Sequence, residues 1–305
     1  MVGHSEMKDP PQNQIQALID LYSKGQLQEA LNQVSHLLRE YPRSLALYNI
    51  VGASHKGLGK LEEAIESFEK AISLKPDYAE AYNNLGTVFR DQSKLEEAIE
   101  AFNKALSIKP YAEVYYNIGN ALKALGKLEE AIEAYKKAIS IKPDYAEAYN
   151  NMGIALQDHG RLEEAIESYK KALSLEPDYA EAYYNIGNAL RDQSKVEEPI
   201  EAYNKAILIN PDYAEAYNNL GVALQDQGKL VGAIEAYNKA ISSRPDYAGA
   251  YYNLGSALKG IVFNKPNRDL QKTIVSLLSK ERYVRPKDIT KAAISLLKLE
   301  PTLQK

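Results

Sequence analysis

The chain has 305 residues, a formal net charge of −4 and no cysteine. Disulfides, thiolate nucleophiles and cysteine-bound zinc are therefore excluded, and an acidic chain without a basic stripe argues against nucleic acid as a partner. The opening MVGHSEMKDPPQNQ has neither a basic nor an apolar leader region, and no apolar run approaches the roughly 18 residues of a spanning helix, so the expectation is a soluble, cytoplasmic protein with no membrane partner.

In chain order, residues 1–10 read as a disordered tail, and 11–44 as a degenerate unit, with Gly25, Leu27, Ala30 and Pro42 in register with the later units but no first-helix signature. This unit is expected to act as an N-terminal cap. Six fuller units then run over 45–78, 79–111, 112–145, 146–179, 180–213 and 214–247, a period of one helical hairpin. Within each unit, positions 4, 8 and 11 form one apolar stripe at helical spacing, and positions 17, 20, 21, 24, 27 and 28 form another. The glycine at position 8 and alanine at position 20 permit close helix approach, and large residues at 4, 11 and 24 fill the space around them. Asp77 with Glu80, and Ser93 with Glu96, have the spacing of capping boxes.

Three departures carry local expectations. The Pro110–Tyr111 junction lacks the aspartate found after proline elsewhere, which predicts a tighter or frayed turn. Pro199 at position 20 predicts a late helix start with proline in the first turn. Val231–Gly232 replaces the usual pair of glutamates and predicts a weakened helix start. From Ala248 a last first-type helix reaches about Lys259, and helices over 267–282 and 287–299 are expected to cap the array, with apolar stripes Leu270, Ile274, Leu277, Leu278 and Ile289, Ala293, Ile294, Leu297.

The pattern Tyr82, Leu85, Gly86, Phe89, Ala98, Phe102 and Pro110, repeated at Tyr149, Met152, Gly153, Leu156, Ala165, Tyr169 and Pro177, resembles the tetratricopeptide repeat over about residues 11–259. The resemblance implies an all-α, right-handed superhelical solenoid of antiparallel helix pairs with a helical C-terminal cap. No catalytic constellation accompanies it: His4, His36, His55 and His159 fall at unrelated positions, and pairs such as Glu129–Glu130 suit the positive ends of helices. No enzyme activity, metal or cofactor is expected from these residues.

Positions 2, 6, 9 and 13 make a polar stripe opposite the packed face of each first helix. Asn84, Asn117, Asn151, Asn185, Asn219 and Asn253 occupy position 6, and Asn120 and Asn188 occupy position 9. This ladder resembles the one lining the groove of the O-linked N-acetylglucosamine transferase family's repeats, which implies that the amides grip the backbone of an extended peptide. The competing reading is that they solvate the helix or bond between neighbouring hairpins. Tyr116, Tyr184 and Tyr252 alternate with asparagine at position 5 and offer apolar subsites with hydroxyl handles. Position-2 glutamates and position-13 aspartates make the stripe acidic, partly offset by Arg90, Lys123 and Arg191, so the expected partner is an extended neutral or basic protein segment. The alternative function is the substrate-recruiting arm of a larger bacterial glycosyltransferase or methyltransferase, and self-association through an end of the array is a further option.

Overall fold

The computed structural model describes residues 9–195, 197–259, 261–262, 271–275 and 286–299. The described residues form an all-α solenoid: α1 (Gln12–Ser23), α2 (Leu27–Glu40), α3 (Leu45–Gly57), α4 (Leu61–Leu74), α5 (Ala79–Asp91), α6 (Leu95–Ile108), α7 (Ala112–Ala124), α8 (Leu128–Ile141) and α9 (Ala146–Asp158) in one compact unit, residues 1–159. The second unit, residues 160–305, holds α10 (Leu162–Leu175), α11 (Ala180–Asp192), α12 (Glu198–Ile209), α13 (Ala214–Asp226), α14 (Leu230–Ser243), α15 (Ala248–Leu258) and α16 (Pro286–Leu297).

One contact recurs inside the hairpins. The position-24 aromatic of the second helix packs directly against the position-8 glycine of the first: a Cβ added to Gly119, Gly187 or Gly221 would stand 2.5 Å from the ring of Tyr135, Tyr203 or Tyr237. Phe68 against Gly52 and Phe102 against Gly86 repeat it at 2.6 Å. These aromatic side chains are fully buried, so no ring has room to withdraw.

The hairpin turn is closed differently from the sequence expectation. Neither Asp77 nor Ser93 caps a helix through its side chain; the residues preceding the helices are Tyr78 and Lys94. Ser93 instead ends α5 in the left-handed region at φ +61°, its N–H bonded to the Arg90 carbonyl at 2.8 Å, and Ser194 does the same. Gly25, Gly59, Gly126, Gly160 and Gly228 hold this place elsewhere, where a left-handed backbone costs glycine nothing. Tyr78 takes the place before α5 because its carbonyl receives the N–H groups of Ala81 and Tyr82.

At the junction that lacks an aspartate, three residues separate α6 from α7 where four separate α4 from α5, and Tyr111 is fully extended (φ −151°, ψ 158°). The turn is tighter and α7 keeps its whole length, so there is no fraying. Pro199 falls in the first turn of α12, which starts two residues later in its repeat than α8 or α10. The missing N–H of proline then loses nothing, since first-turn donors have no partner inside the helix. Val231–Gly232 does not delay α14, which starts at Leu230 and runs 14 residues; packing of Ala233, Ile234 and Tyr237 outweighs the poor propensity of its first turn.

The ends are covered. Asp9 and Pro10, expected in a tail, are held: Ser44 caps α3 by accepting the Leu47 N–H and donates its hydroxyl to Asp9, and Pro10 is buried. Residues 1–8 lie outside the described residues. At the other end Ile274, Ile289, Ala292 and Leu296 bury Tyr251, Leu254 and Leu258 of α15. The stripe on α16 is turned from the expected one, because Ile294 and Leu297 face outward while Ala292 and Leu296 face the core. Leu270, Leu277 and Leu278 of the other expected cap helix lie outside the described residues.

Gly119→Ala is expected to lower unfolding stability by about 1–3 kcal/mol through overpacking against Tyr135, and Ser93→Gly to raise it by about 1 kcal/mol by relieving the left-handed serine. Urea titrations followed by circular dichroism test both. An alanine at 119 without cost would mean that the Tyr135 ring has slack.

Candidate functional site

The first helices of each unit present the polar stripe, and its hydrogen bonds show what those side chains do within the fold. Position-6 Nδ2 groups reach back to the preceding hairpin: Asn84 donates to Asn49, Asn117 to Asn83 at 2.9 Å, Asn219 to the Tyr184 hydroxyl and to Asn188, and Asn253 to Asn218. Asn151 Nδ2 lies 2.9 Å from both the Tyr116 hydroxyl and Asn120 Oδ1. Each amide therefore braces neighbouring repeats, with a typical net worth of about 1 kcal/mol per bond. Asn117 and Asn185 are buried, whereas Asn84, Asn151, Asn219 and Asn253 are half-exposed.

The alternation at position 5 has a physical counterpart. Where position 5 is asparagine it is buried, as at Asn83, Asn150 and Asn218; where it is tyrosine, Tyr116 and Tyr184 stay half-exposed and Tyr252 is 68% exposed. Tyr116 packs against Tyr145 with centroids 5.0 Å apart and against Tyr135 at 6.0 Å. Tyr184 repeats this against Tyr213 at 5.1 Å and Tyr203 at 6.1 Å. In both clusters the position-9 asparagine joins the helices: Asn120 Oδ1 accepts from the buried Tyr135 hydroxyl at 2.7 Å, and Asn188 Oδ1 from Tyr203 at 2.9 Å. The Nδ2 groups of Asn120 and Asn188 have no hydrogen-bond partner among the described residues. Burial pushes up the Tyr135 and Tyr203 hydroxyls, so both remain protonated donors. Coupling of Tyr135 to Asn120 was readable in principle, since units 112–145 and 180–213 pair tyrosine at 24 with asparagine at 9, while the phenylalanine of 79–111 faces Thr87, whose hydroxyl turns to its own backbone.

Charges on the stripe divide into two classes. Asp91 is engaged by Lys56 at 3.1 Å and Arg90 at 3.2 Å, and Lys123 also has a partner. Arg191 lines a cleft of about 260 Å³ with Lys195, Pro199 and Asp226, at the late start of α12. The position-2 glutamates Glu80, Glu113, Glu147 and Glu181 are exposed and make no ion pair among the described residues, whereas Glu215 pairs with Arg244. The first glutamate of three second helices, α4, α8 and α10, ties to the following repeat: Gln92 to Glu62, His159 Nδ1 3.2 Å from Glu129, and Gln193 to Glu163. A separate open groove near 450 Å³ runs beside α8, lined by Leu106, Ile118, Leu122 and Glu133. No group of three or more metal-ligating side chains occurs among the described residues, and no described helix is long and apolar enough to cross a membrane.

The family model described as Cilia and flagella-associated protein 70 C-terminal domain matches residues 14–252. No curated protein matches the sequence. Among solved structures, the APC/C hetero-tetramer Cut9-Hcn1 is similar with a TM-score of 0.66 and 20% identity, over 79% of this chain and 48% of that one. The present chain thus spans about half the length of that relative. Pseudomonas aeruginosa pilF gives a TM-score of 0.60 and 19% identity over 68% of this chain and 94% of its own. MamA gives 0.50 and 28% over 54% and 97%. Cut9-Hcn1 and pilF, at their low identity, show a common helical-repeat fold.

Asn120→Ala is expected to cost about 1–3 kcal/mol by leaving the buried Tyr135 hydroxyl unpaired, and distinctly less in a Tyr135→Phe background. A double-mutant cycle from chemical denaturation checks this; equal costs in both backgrounds would remove the coupling.

Proposed function

The chain belongs to the family of the cilia and flagella-associated protein 70 C-terminal domain, and with it to the tetratricopeptide-repeat proteins, and from that premise we propose that it is a non-catalytic protein-interaction scaffold binding an extended polypeptide segment along the first-helix face. The observation that carries the proposal is a set of oriented polar groups on that face. Anchoring Nδ2 of Asn84, Asn151 and Asn219 on the preceding hairpin fixes each amide, and its Oδ1 can still take a further donor such as a peptide N–H. Asn120 and Asn188 supply the complementary Nδ2 donors. An extended segment exposes N–H and C=O groups in alternation, which is the set such a face would satisfy.

This proposal revises the simple ladder. Asn117 is buried with its Nδ2 bonded to Asn83 of the preceding hairpin, and Asn185 is buried as well, so neither is placed to reach a ligand as the half-exposed amides are. Tyr116 and Tyr184, with their packed tyrosine neighbours, form the apolar subsites. The exposed glutamates Glu80, Glu113, Glu147 and Glu181 favour a basic segment over an acidic one, because the cations at positions 56 and 90 are already paired with Asp91.

A photo-cross-linking residue placed at Glu113 or Glu147 is expected to capture the bound partner, and one at Glu130 or Glu133, on the second-helix side, is not. Capture only from the second helix would overturn the proposal. Glu113→Gln with Glu147→Gln should weaken binding of a basic segment roughly two- to tenfold at low salt and much less at high salt.

A further inference from the structure

Four repeats share a glutamate at position 2 and a tyrosine at position 34, and the residue three before that tyrosine, at position 31, varies as Lys142, Glu176, Asn210 and Arg244. In repeat 214–247 the variable residue is Arg244. Its guanidinium lies 4.8 Å from the centroid of the Tyr247 ring and pairs with Glu215. In repeat 112–145 it is Lys142, whose Nζ lies 4.4 Å from the centroid of Tyr145. With Lys75 5.9 Å from the Tyr78 centroid in repeat 45–78, the protein shows three times that a cation fits beside this ring, and once that the glutamate closes on it.

Repeat 180–213 has the glutamate, Glu181, and the tyrosine, Tyr213, but Asn210 in place of the cation. Asn210 is too short to cover the ring and turns back on its own loop, its Oδ1 accepting the Asp212 N–H at 3.2 Å. The surroundings otherwise reproduce the lysine-bearing repeat. Tyr184 packs on Tyr213 at 5.1 Å and 39°, as Tyr116 packs on Tyr145 at 5.0 Å and 36°. Burial and then Glu181 push the Tyr213 hydroxyl up, while at Tyr145 Glu113 and Glu147 act behind burial and Tyr116. Glu181 is exposed and has no ion pair among the described residues.

We infer that Glu181, Tyr184 and Tyr213 form a seat for an arginine or lysine side chain of the bound polypeptide. The inference rests on the first-helix-face proposal and adds to it a specified side chain at a specified place. A guanidinium satisfies both halves of the seat, since its flat face stacks on the tyrosine and its N–H groups reach the carboxylate. Glutamate alone would hold any cation weakly in water; the ring beside it supplies the preference for a cation carried on an apolar stem.

The test uses the full chain with two capped serine–glycine peptides, one with a single central arginine and the other with citrulline, its uncharged isostere. Ring resonances of Tyr184 and Tyr213 and side-chain amide resonances of Asn188 and Asn219 report binding. The arginine peptide is expected to shift the two tyrosines saturably and at least fivefold more tightly than the citrulline peptide. Glu181→Gln should reduce that preference. Asn210→Arg installs the cation that the next repeat already carries at this position, so the hairpin should tolerate it, and the preference should disappear. Equal binding of both peptides, with asparagine shifts intact, would overturn the seat and leave the polypeptide-binding face standing. Persistence of the preference in Asn210→Arg would also overturn the seat. No shift anywhere on the first helices with either peptide would overturn both.

Discussion

The structure depends on the contact between a glycine and an aromatic ring that recurs in five of its hairpins. A helix pair can approach closely only where one backbone offers no Cβ, and at Gly119 and its equivalents the facing ring occupies the space a Cβ would need. The contact fixes the relative rotation of the two helices, and rotation decides which side of the first helix faces outward. Positions 2, 6, 9 and 13 are available on one face because positions 4, 8 and 11 are committed to the other. The polar first-helix face is thus a consequence of hairpin packing, reproduced wherever glycine and aromatic recur.

Stacking of hairpins adds a second requirement, that polar side chains between first helices be satisfied. Asparagine answers it because one amide can donate to the preceding repeat and accept from elsewhere. In the tyrosine-bearing repeats, Asn120 and Asn188 also receive the hydroxyls of Tyr135 and Tyr203, so the core of a hairpin and its outer face are coupled through one side chain. A face so braced needs little further ordering to meet a ligand, and ordering is a large share of the cost of association. The same feature explains why truncating the asparagines would confuse stability with binding, whereas substitutions among the exposed glutamates would not.

Much of this architecture was legible in the sequence because period, small residues and aromatics report packing directly. The late start of α12 is a consequence of Pro199 alone, since proline lacks the donor that a helix interior requires. The serines mislead for a physical reason: Ser93 fits a helix start by spacing, but the position is decided by the left-handed turn that closes the preceding helix, and glycine stands there in the other hairpins. Val231–Gly232 misleads because propensity is a weak term beside the burial of Tyr237 and Ile234. On α16 the apolar residues exceed what one face can bury, so composition could not say that Leu296 rather than Leu297 would face Leu254. For the candidate site, residue types and spacing picked out a polar stripe on the first helices, yet could not tell which amide atoms neighbouring repeats had already taken.

Near-identical repeats also make single departures informative. When most positions are copies, a difference at one of them is read against an internal control with the same backbone and the same neighbours. Lys142, Arg244 and Asn210 hold one place in three repeats, and the first two show where a cation settles when the chain supplies it. Ion pairs exposed to water contribute little to stability, so replacing the cation by asparagine costs the hairpin almost nothing, and the turn is still closed by the Tyr213 N–H on the Asn210 carbonyl. What changes is the surface, which keeps the aromatic ring and the carboxylate without the cation that accompanies them in the next repeat. Specificity in a repeat array can arise in this way, by deleting one of the chain's own side chains from a site that the fold continues to build.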